Sequence, residues 1–183
     1  MNKGLTVLTL LAVICIGYGQ RLEVVKSKID FTSDAPLELI NANSDNARGL
    51  IDPITRQFAF IIKTSSFKGF NSELQREHFN EKYMESEKFY ESSFSGRFID
   101  SVNFKVEGVY RVNAKGTLLL HGKKQPRTIP GTITITKDKI VVDAEFKVLL
   151  VDHDIQRPNV VGAKIASEIL VKVTFELEEK KAR

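Results

Sequence analysis

Along Ile140–Leu150, IVVDAEFKVLL, the even positions Ile140, Val142, Ala144, Phe146, Val148 and Leu150 are apolar, while the odd ones include Asp143, Glu145 and Lys147. Successive side chains of a strand point to opposite faces, so this spacing predicts a strand with one apolar and one largely wet face. A helix would scatter the same apolar residues around its circumference. The pattern recurs. Tyr110, Val112, Ala114, Gly116, Leu118 and Leu120 share a face, with Arg111, Asn113, Lys115 and Thr117 opposite. Ala114 and Gly116 leave room on the inner side, as at a bend or beneath a ligand. Phe94, Gly96 and Phe98 share a face of a shorter strand. Ile129, Ile133 and Ile135 follow with threonines between. Ile169, Val171, Val173, Phe175 and Leu177 face inward from a closing strand within Ala166–Leu177.

The earlier part of the chain is less regular. Arg21–Phe31 holds short strand-like pieces, and Leu37 and Leu39 flank Glu38 in another. Asn41–Asn46 reads as a turn by its Asn, Ser and Asp content, as does Asp52-Pro53. Gln57–Lys63, QFAFIIK, is apolar on both sides, which predicts a strand covered on both faces with a helix packed against it. The candidate helix is Glu73–Ser86. Ser72 with Gln75 is a capping-box pair, but Leu74, Phe79, Tyr83 and Met84 form no single stripe, so the expectation is a short or broken helix. His121–Arg127 reads as a turn by its Gly and Pro, Lys137-Asp138-Lys139 as a tight turn, and Asp152–Gly162, containing Pro158, as a polar connection.

Long strands joined by short turns, each with one apolar face, predict an antiparallel sheet that closes on itself or stacks. Closure removes exposed edges, and about eight strands give a barrel that is either filled by side chains or holds one small ligand. The expected class is mainly β, with one short helical segment. No domain boundary or internal repeat interrupts the pattern. The 183 residues, 42% hydrophobic and 27% charged, suit one globular domain.

The N-terminus stands apart. Lys3 precedes an apolar stretch, Leu5–Ile16, that is short for a membrane span, and Gly17-Tyr18-Gly19 supplies small residues for cleavage before Gln20. The expectation is a signal peptide at 1–19, removed to leave a single domain at 20–183 without a stable transmembrane anchor. A retained anchor is the rival reading. Lipidation at Cys15 is disfavoured by bulky Ile14. Cleavage takes away the only cysteine, hence all disulfide and thiol chemistry, and lowers the formal charge of +4 by one. That weakly basic balance lacks the dense Lys/Arg stripe of a nucleic-acid binder.

Local motifs for catalysis are weak. Ser65-x-x-Lys68 and Ser44-Asp45-Asn46 match two motifs of penicillin-interacting enzymes in the wrong order and without the third. His78, His121 and His153 have no metal-ligand spacing. Asp152-His153-Asp154 would set two carboxylates on one side of an extended segment, a conceivable hard-cation site, though a solvated strand end explains it as well. Glu77, His78 and Glu81 are spaced for surface pairs. His121, Lys123, Lys124 and Arg127 gather at one hairpin, as a solvated turn or as an anchor for an anionic head group at a barrel mouth. No catalytic residue, metal or cofactor is expected.

Gly116–Gly122 (GTLLLHG) with the basic turn after it resembles the YceI-like family of exported lipid- and polyisoprenoid-binding proteins. So do Phe146–Ile155 (FKVLLVDHDI), Lys164-Ile165-Ala166, Ser66–Asn71 and Leu74–Glu81. The likeness covers nearly the whole mature chain. It departs at Phe89-Tyr90, where a proline commonly follows the aromatic residue. It implies a lipocalin-like antiparallel β-barrel with an elongated apolar interior, a periplasmic location (secretion being the alternative) and binding of a polyisoprenoid or other long-chain lipid. Alternation and resemblance together nominate Phe58, Phe60, Phe94, Phe98, Val112, Leu118, Phe146 and Val148 as the lining. The rival functions are a non-binding structural or stress-response barrel with a filled core, and an enzyme acting on a lipid head group through His121 or His153. A homodimer is compatible with the sequence.

Overall fold

The computed structural model describes residues 21–157 and 163–180. The expected signal peptide with its cleavage point, Cys15 and Pro158 lie outside the described residues.

Nine antiparallel strands follow one another: β1 (Leu22–Ala35), β2 (Glu38–Ser44), β3 (Ala47–Ile51), β4 (Gln57–Lys63), β5 (Glu91–Phe98), β6 (Gly108–Leu120), β7 (Lys123–Ile135), β8 (Ile140–Leu149) and β9 (Glu168–Glu179). Each strand from β3 to β8 pairs with the next, and β9 returns to pair with β1 over Leu22–Thr32, which closes an eight-strand barrel. Strand β2 is the ninth. It pairs with the second half of β1, Ile29–Ala35, while β3 pairs with the first residues of β1. Ser27 Oγ fills the fork by accepting a 3.0 Å bond from the Ala47 amide.

Alternation works as the sequence predicts along β4 to β9, and several expectations are corrected. Arg21–Phe31 is not a set of short pieces but part of one 14-residue strand. A bulge between Val24 and Lys26 switches the inward parity from Leu22 and Val24 to Ser27, Ile29, Phe31 and Ser33, so no single alternation spans it. Of Asn41–Asn46 only Asp45 and Asn46 turn, between β2 and β3. Asn41–Ser44 continues β2, because its polar groups are satisfied across strands: Thr32 Oγ1 donates to Asn41 Oδ1 at 2.8 Å, and Asn43 pairs with Lys68. The inward residues of β2 are Ile40, Ala42 and Ser44, whereas Leu37 and Leu39 are exposed. In the His121–Arg127 stretch only His121 and Gly122 turn, both at positive φ, and Lys123 already begins β7.

Strand β4 is covered on one face only. Ala59 and Ile61 are exposed, and the helical segment does not pack on them. It sits over one end of the barrel. Helix α1 (Glu73–His78) runs into a wider π turn, Phe79–Tyr83, which answers the expectation of a broken helix. Ser72 Oγ accepts from the Gln75 amide at 3.2 Å, and Gln75 Oε1 accepts in turn from the Asn71 amide at 3.0 Å. The residues after β8 begin as a 3-10 turn, Leu150–His153, rather than as polar coil.

Candidate functional site

The inward faces of the strands meet in two different ways along the barrel. At the end formed by the start of β1 and the end of β9, the interior is solid. Leu22, Ile51, Ile133 and Leu177 are at most 2% exposed and pack with Ile135 and Phe175. Toward the helical end the faces draw apart around a cavity of about 530 Å³, within the range of small-molecule sites. The interior is therefore filled in one half and hollow in the other.

All eight residues nominated from the sequence stand on the cavity wall: Phe58 and Phe60 from β4, Phe94 and Phe98 from β5, Val112 and Leu118 from β6, Phe146 and Val148 from β8. Phe58 is the hub of the floor. Its ring centroid lies 5.6 Å from that of Phe60, 5.1 Å from Phe94 and 5.0 Å from Phe98, and Phe60 stacks on Phe175 at 4.7 Å. Such offset and tilted pairs add to burial and hold the rings in place. The room expected at Gly116 is not ligand space. A side chain there would meet the Ser95 carbonyl oxygen at 2.4 Å and the Phe94 ring at 3.0 Å, so the glycine serves the close approach of β5 and β6. Ala114 does face the cavity.

The helical end of the wall was missed from the sequence. Phe31 gathers Phe67, Phe70 and Phe79 at centroid distances of 5.3, 5.9 and 5.4 Å, and Tyr83 and Met84 continue the surface. These residues come from β1, from an irregular connection and from the π turn, so no periodicity links them; their signal was the phenylalanine content of Phe67–Phe79. Burial pushes the Tyr83 phenol above its ordinary range, which keeps it neutral. Polar groups on this part of the wall are used internally: Gln75 Nε2 donates to Glu38 Oε1 at 2.7 Å, Thr64 Oγ1 to the Phe89 carbonyl at 3.0 Å, and the Ala166 amide to Ser33 Oγ at 2.9 Å.

The basic hairpin lies off the cavity wall. His121 Nε2 is 3.1 Å from Glu85 Oε2 and its Nδ1 2.9 Å from the His153 carbonyl, with the Phe89 ring edge-on. Lys123 pairs with Asp154 at 2.5 Å and Arg127 with Asp152 at 2.8 Å; Lys124 is exposed. The two carboxylates of Asp152-His153-Asp154 thus face separate cations on a 3-10 turn, not one side of an extended segment. Among the described residues no group of three or more His, Cys, Asp or Glu side chains is placed to hold a metal ion. The Ser44 and Lys68 stretches do adjoin, but Ser44 Oγ bonds Ser66 Oγ at 2.7 Å while Lys68 meets Asp45 in solvent at 2.9 Å. That arrangement gives no activated nucleophile. No described helix is long and apolar enough to cross a membrane.

Three solved structures share this architecture. A polyisoprenoid binding domain from Saccharophagus degradans, implicated in plant cell wall breakdown, is 14% identical, with a TM-score of 0.73 over 87% of this chain and 98% of its own. BcnA of Burkholderia cenocepacia is 14% identical, with a TM-score of 0.68 over 82% and 95%. A Campylobacter jejuni YceI protein is 16% identical, with a TM-score of 0.58 over 77% and 85%. At such identities the likeness carries the fold. No curated protein matches the sequence. The family model of the YceI-like domain, however, matches residues 21–177, which takes in the barrel from its first strand to its last, and the chain belongs to the YceI-like family.

Proposed function

We propose that this protein is a non-catalytic carrier that holds one long-chain amphiphile, a polyisoprenoid or similar lipid, in the hollow half of its barrel. The observation that carries the reading is the cavity itself, about 530 Å³ walled by inward apolar side chains of all eight barrel strands and closed below by tightly packed residues. An apolar chain gains ~0.8 kcal/mol per methylene removed from water. Roughly ten methylenes give ~8 kcal/mol gross, the scale of micromolar binding before association costs. The eight sequence-nominated residues would form the chain contacts, with Phe31, Phe67 and Phe79 added at the helical end. The polyisoprenoid binding domain among the structural neighbours supports the same ligand class. Export to the periplasm, after removal of residues 1–19, would place the carrier between membranes.

Fluorescence titration of the delipidated protein with cis-parinaric acid tests this. The expected result is saturable uptake of one equivalent, reversed by geranylgeraniol. Absence of any uptake, together with native mass spectra showing only ligand-free chain, would overturn the reading.

A further inference from the structure

The barrel wall is not hydrogen-bonded along its whole height. Pairing between β7 and β8 stops at Gly131↔Ala144. Beyond that point β7 stays with β6 as far as Lys123↔Leu120, and β8 stays with β9 as far as Leu149↔Glu168. Two strand edges diverge, residues 123–130 on one side and 145–149 on the other.

The sequence makes one of these edges permanent. Leu120 and Lys123 flank a two-residue turn, so they form a hydrogen-bonded pair, and odd-numbered β7 residues aim their amides at β6. Even-numbered ones face β8. Pro126 and Pro130 are both even-numbered, and neither has an N–H to offer. Side chains tie the far end of the parting instead: Gln125 Nε2 donates to the Asp152 carbonyl at 2.6 Å and Arg127 to the Asp152 carboxylate at 2.8 Å.

A groove of about 690 Å³ lies on the outer surface where the strands part. It shares Val112, Gly131, Asp143, Ala144 and Val173 with the inner cavity. Bare Gly131 and the methyl of Ala144 stand at the junction. Its outer wall is polar and of mixed charge: Arg111, Thr132 and Asp143 join Lys172, paired with Glu145 at 3.0 Å, and Asn113, whose Nδ2 donates to Asp100 at 3.1 Å. Phe146, the next inward residue past the junction, is half-buried and joins neither packed core cluster. Buried Ile51 and Ile133 close the solid end, whereas the helical end buries Met84 and Leu150 but also carries exposed Leu74 and Lys164 on the cavity wall.

We propose that the β7–β8 seam is the doorway of the barrel, through which an apolar chain passes just beyond the last paired rung, Gly131↔Ala144, while its polar end stays in the outer groove beside Arg111. This rests on the reading of the cavity as a chain-binding site. Opening here breaks no strand ladder, because none exists past Gly131. An apolar chamber beside a polar groove of mixed charge selects a single chain bearing a compact polar end such as an alcohol.

The test is a staple across the seam. In a Cys15→Ser background, Thr128→Cys and Lys147→Cys place two outward thiols on the parted edges, away from cavity and groove, to be joined by a short bismaleimide. The reference is the same protein with both thiols capped by N-ethylmaleimide. Stopped-flow uptake and release of cis-parinaric acid are both expected to slow about tenfold, ~1.4 kcal/mol of added barrier, with an unchanged equilibrium constant. A control staple between Leu39→Cys and Asn71→Cys, which pins the helical segment to β2, is expected to leave both rates alone. Unaltered rates in the seam-stapled protein, or slowing only with the helical staple, overturn the doorway. A capped protein that takes up no parinaric acid overturns the cavity reading and the doorway with it, a result distinct from binding at unaltered rates. Lys124→Cys with Leu149→Cys, which leaves both prolines in place, repeats the experiment further along the seam should the first pair misfold.

Discussion

His153 is fully buried, with its Nδ1 3.2 Å from the Leu120 carbonyl oxygen and its Nε2 without a hydrogen-bond partner. The residue pins the 3-10 turn after β8 to the end of β6, beside the Arg127–Asp152 pair. Burial, opposed by the Leu120 carbonyl, holds the imidazole below its ordinary value of 6.5.

A pH dependence follows. The folded protein keeps His153 neutral, while the unfolded chain takes up a proton as pH drops past 6.5. The unfolded state binds more protons there, so stability rises with pH. The His153 contribution is complete above 6.5 and is lost as pH falls from that value through the lowered folded one. Urea midpoints measured at about pH 8 and about pH 5 are expected to drop on acidification, and His153→Leu to remove part of that drop.

The Gly96↔Gly116 pair joins β5 to β6 at close range. A side-chain carbon at Gly96 would come within 2.1 Å of the Lys115 carbonyl oxygen, which is backbone and cannot swing away. Gly96→Ala and Gly116→Ala are each expected to cost roughly 1–3 kcal/mol as overpacking, read as a lower urea midpoint at constant slope.

Ala114 faces the cavity between Val112 and Leu118. Ala114→Phe sets a ring in the hollow. The expected outcome is a cis-parinaric acid affinity weaker by about tenfold or more, ~1.4 kcal/mol, with the far-ultraviolet circular dichroism retained. Equal affinity would show that the chain does not reach this level.

Gln75 makes three links: to Ser72 Oγ through its amide, to Asn71 through Oε1 and to Glu38 through Nε2. Gln75→Ala removes the latter two. Amide exchange in residues 73–83 is expected to quicken, while the melting temperature of the barrel shifts little, because α1 buries none of its own residues.

The seam makes a separate prediction for exchange in β8. Odd-numbered β8 amides face β7, which has partners for them only up to Asp143. The Glu145 and Lys147 amides are expected to exchange much faster than those of Val141 and Asp143 in the same strand. Equal protection would mean that the ladder continues past Gly131.

Much of the fold was legible because alternation is a local signal. Where a strand keeps one parity from end to end, as β6, β8 and β9 do, its inward residues can be read off the chain, and the eight nominated wall residues all come from strands of that kind. The bulge at Val24–Lys26 defeated the same reading in β1 by shifting the inward set by one position. The composition of Asn41–Asn46 reads as a turn because the partners that hold Asn41–Ser44 extended lie elsewhere in the chain: Thr32, whose hydroxyl donates to the Asn41 side chain, and Lys68, whose backbone pairs with that of Asn43.

In the strands without a bulge, the sequence by itself determined which side chains point inward, since that depends only on the two-residue repeat of an extended backbone. It also carried the two prolines of β7, which withhold two of the amides that a continuous β7–β8 ladder would use. Only the tertiary structure decided that the inward faces pack solid at Ile51 and Leu177 yet part around a cavity at Phe58 and Val148. It decided equally that His121 spends its hydrogen bonds on Glu85 and the His153 carbonyl, and Lys123 and Arg127 their charge on Asp154 and Asp152. Whether facing residues touch or leave a space depends on strand tilt, stagger and closure, and on residues far apart in the chain, none of which a local pattern encodes.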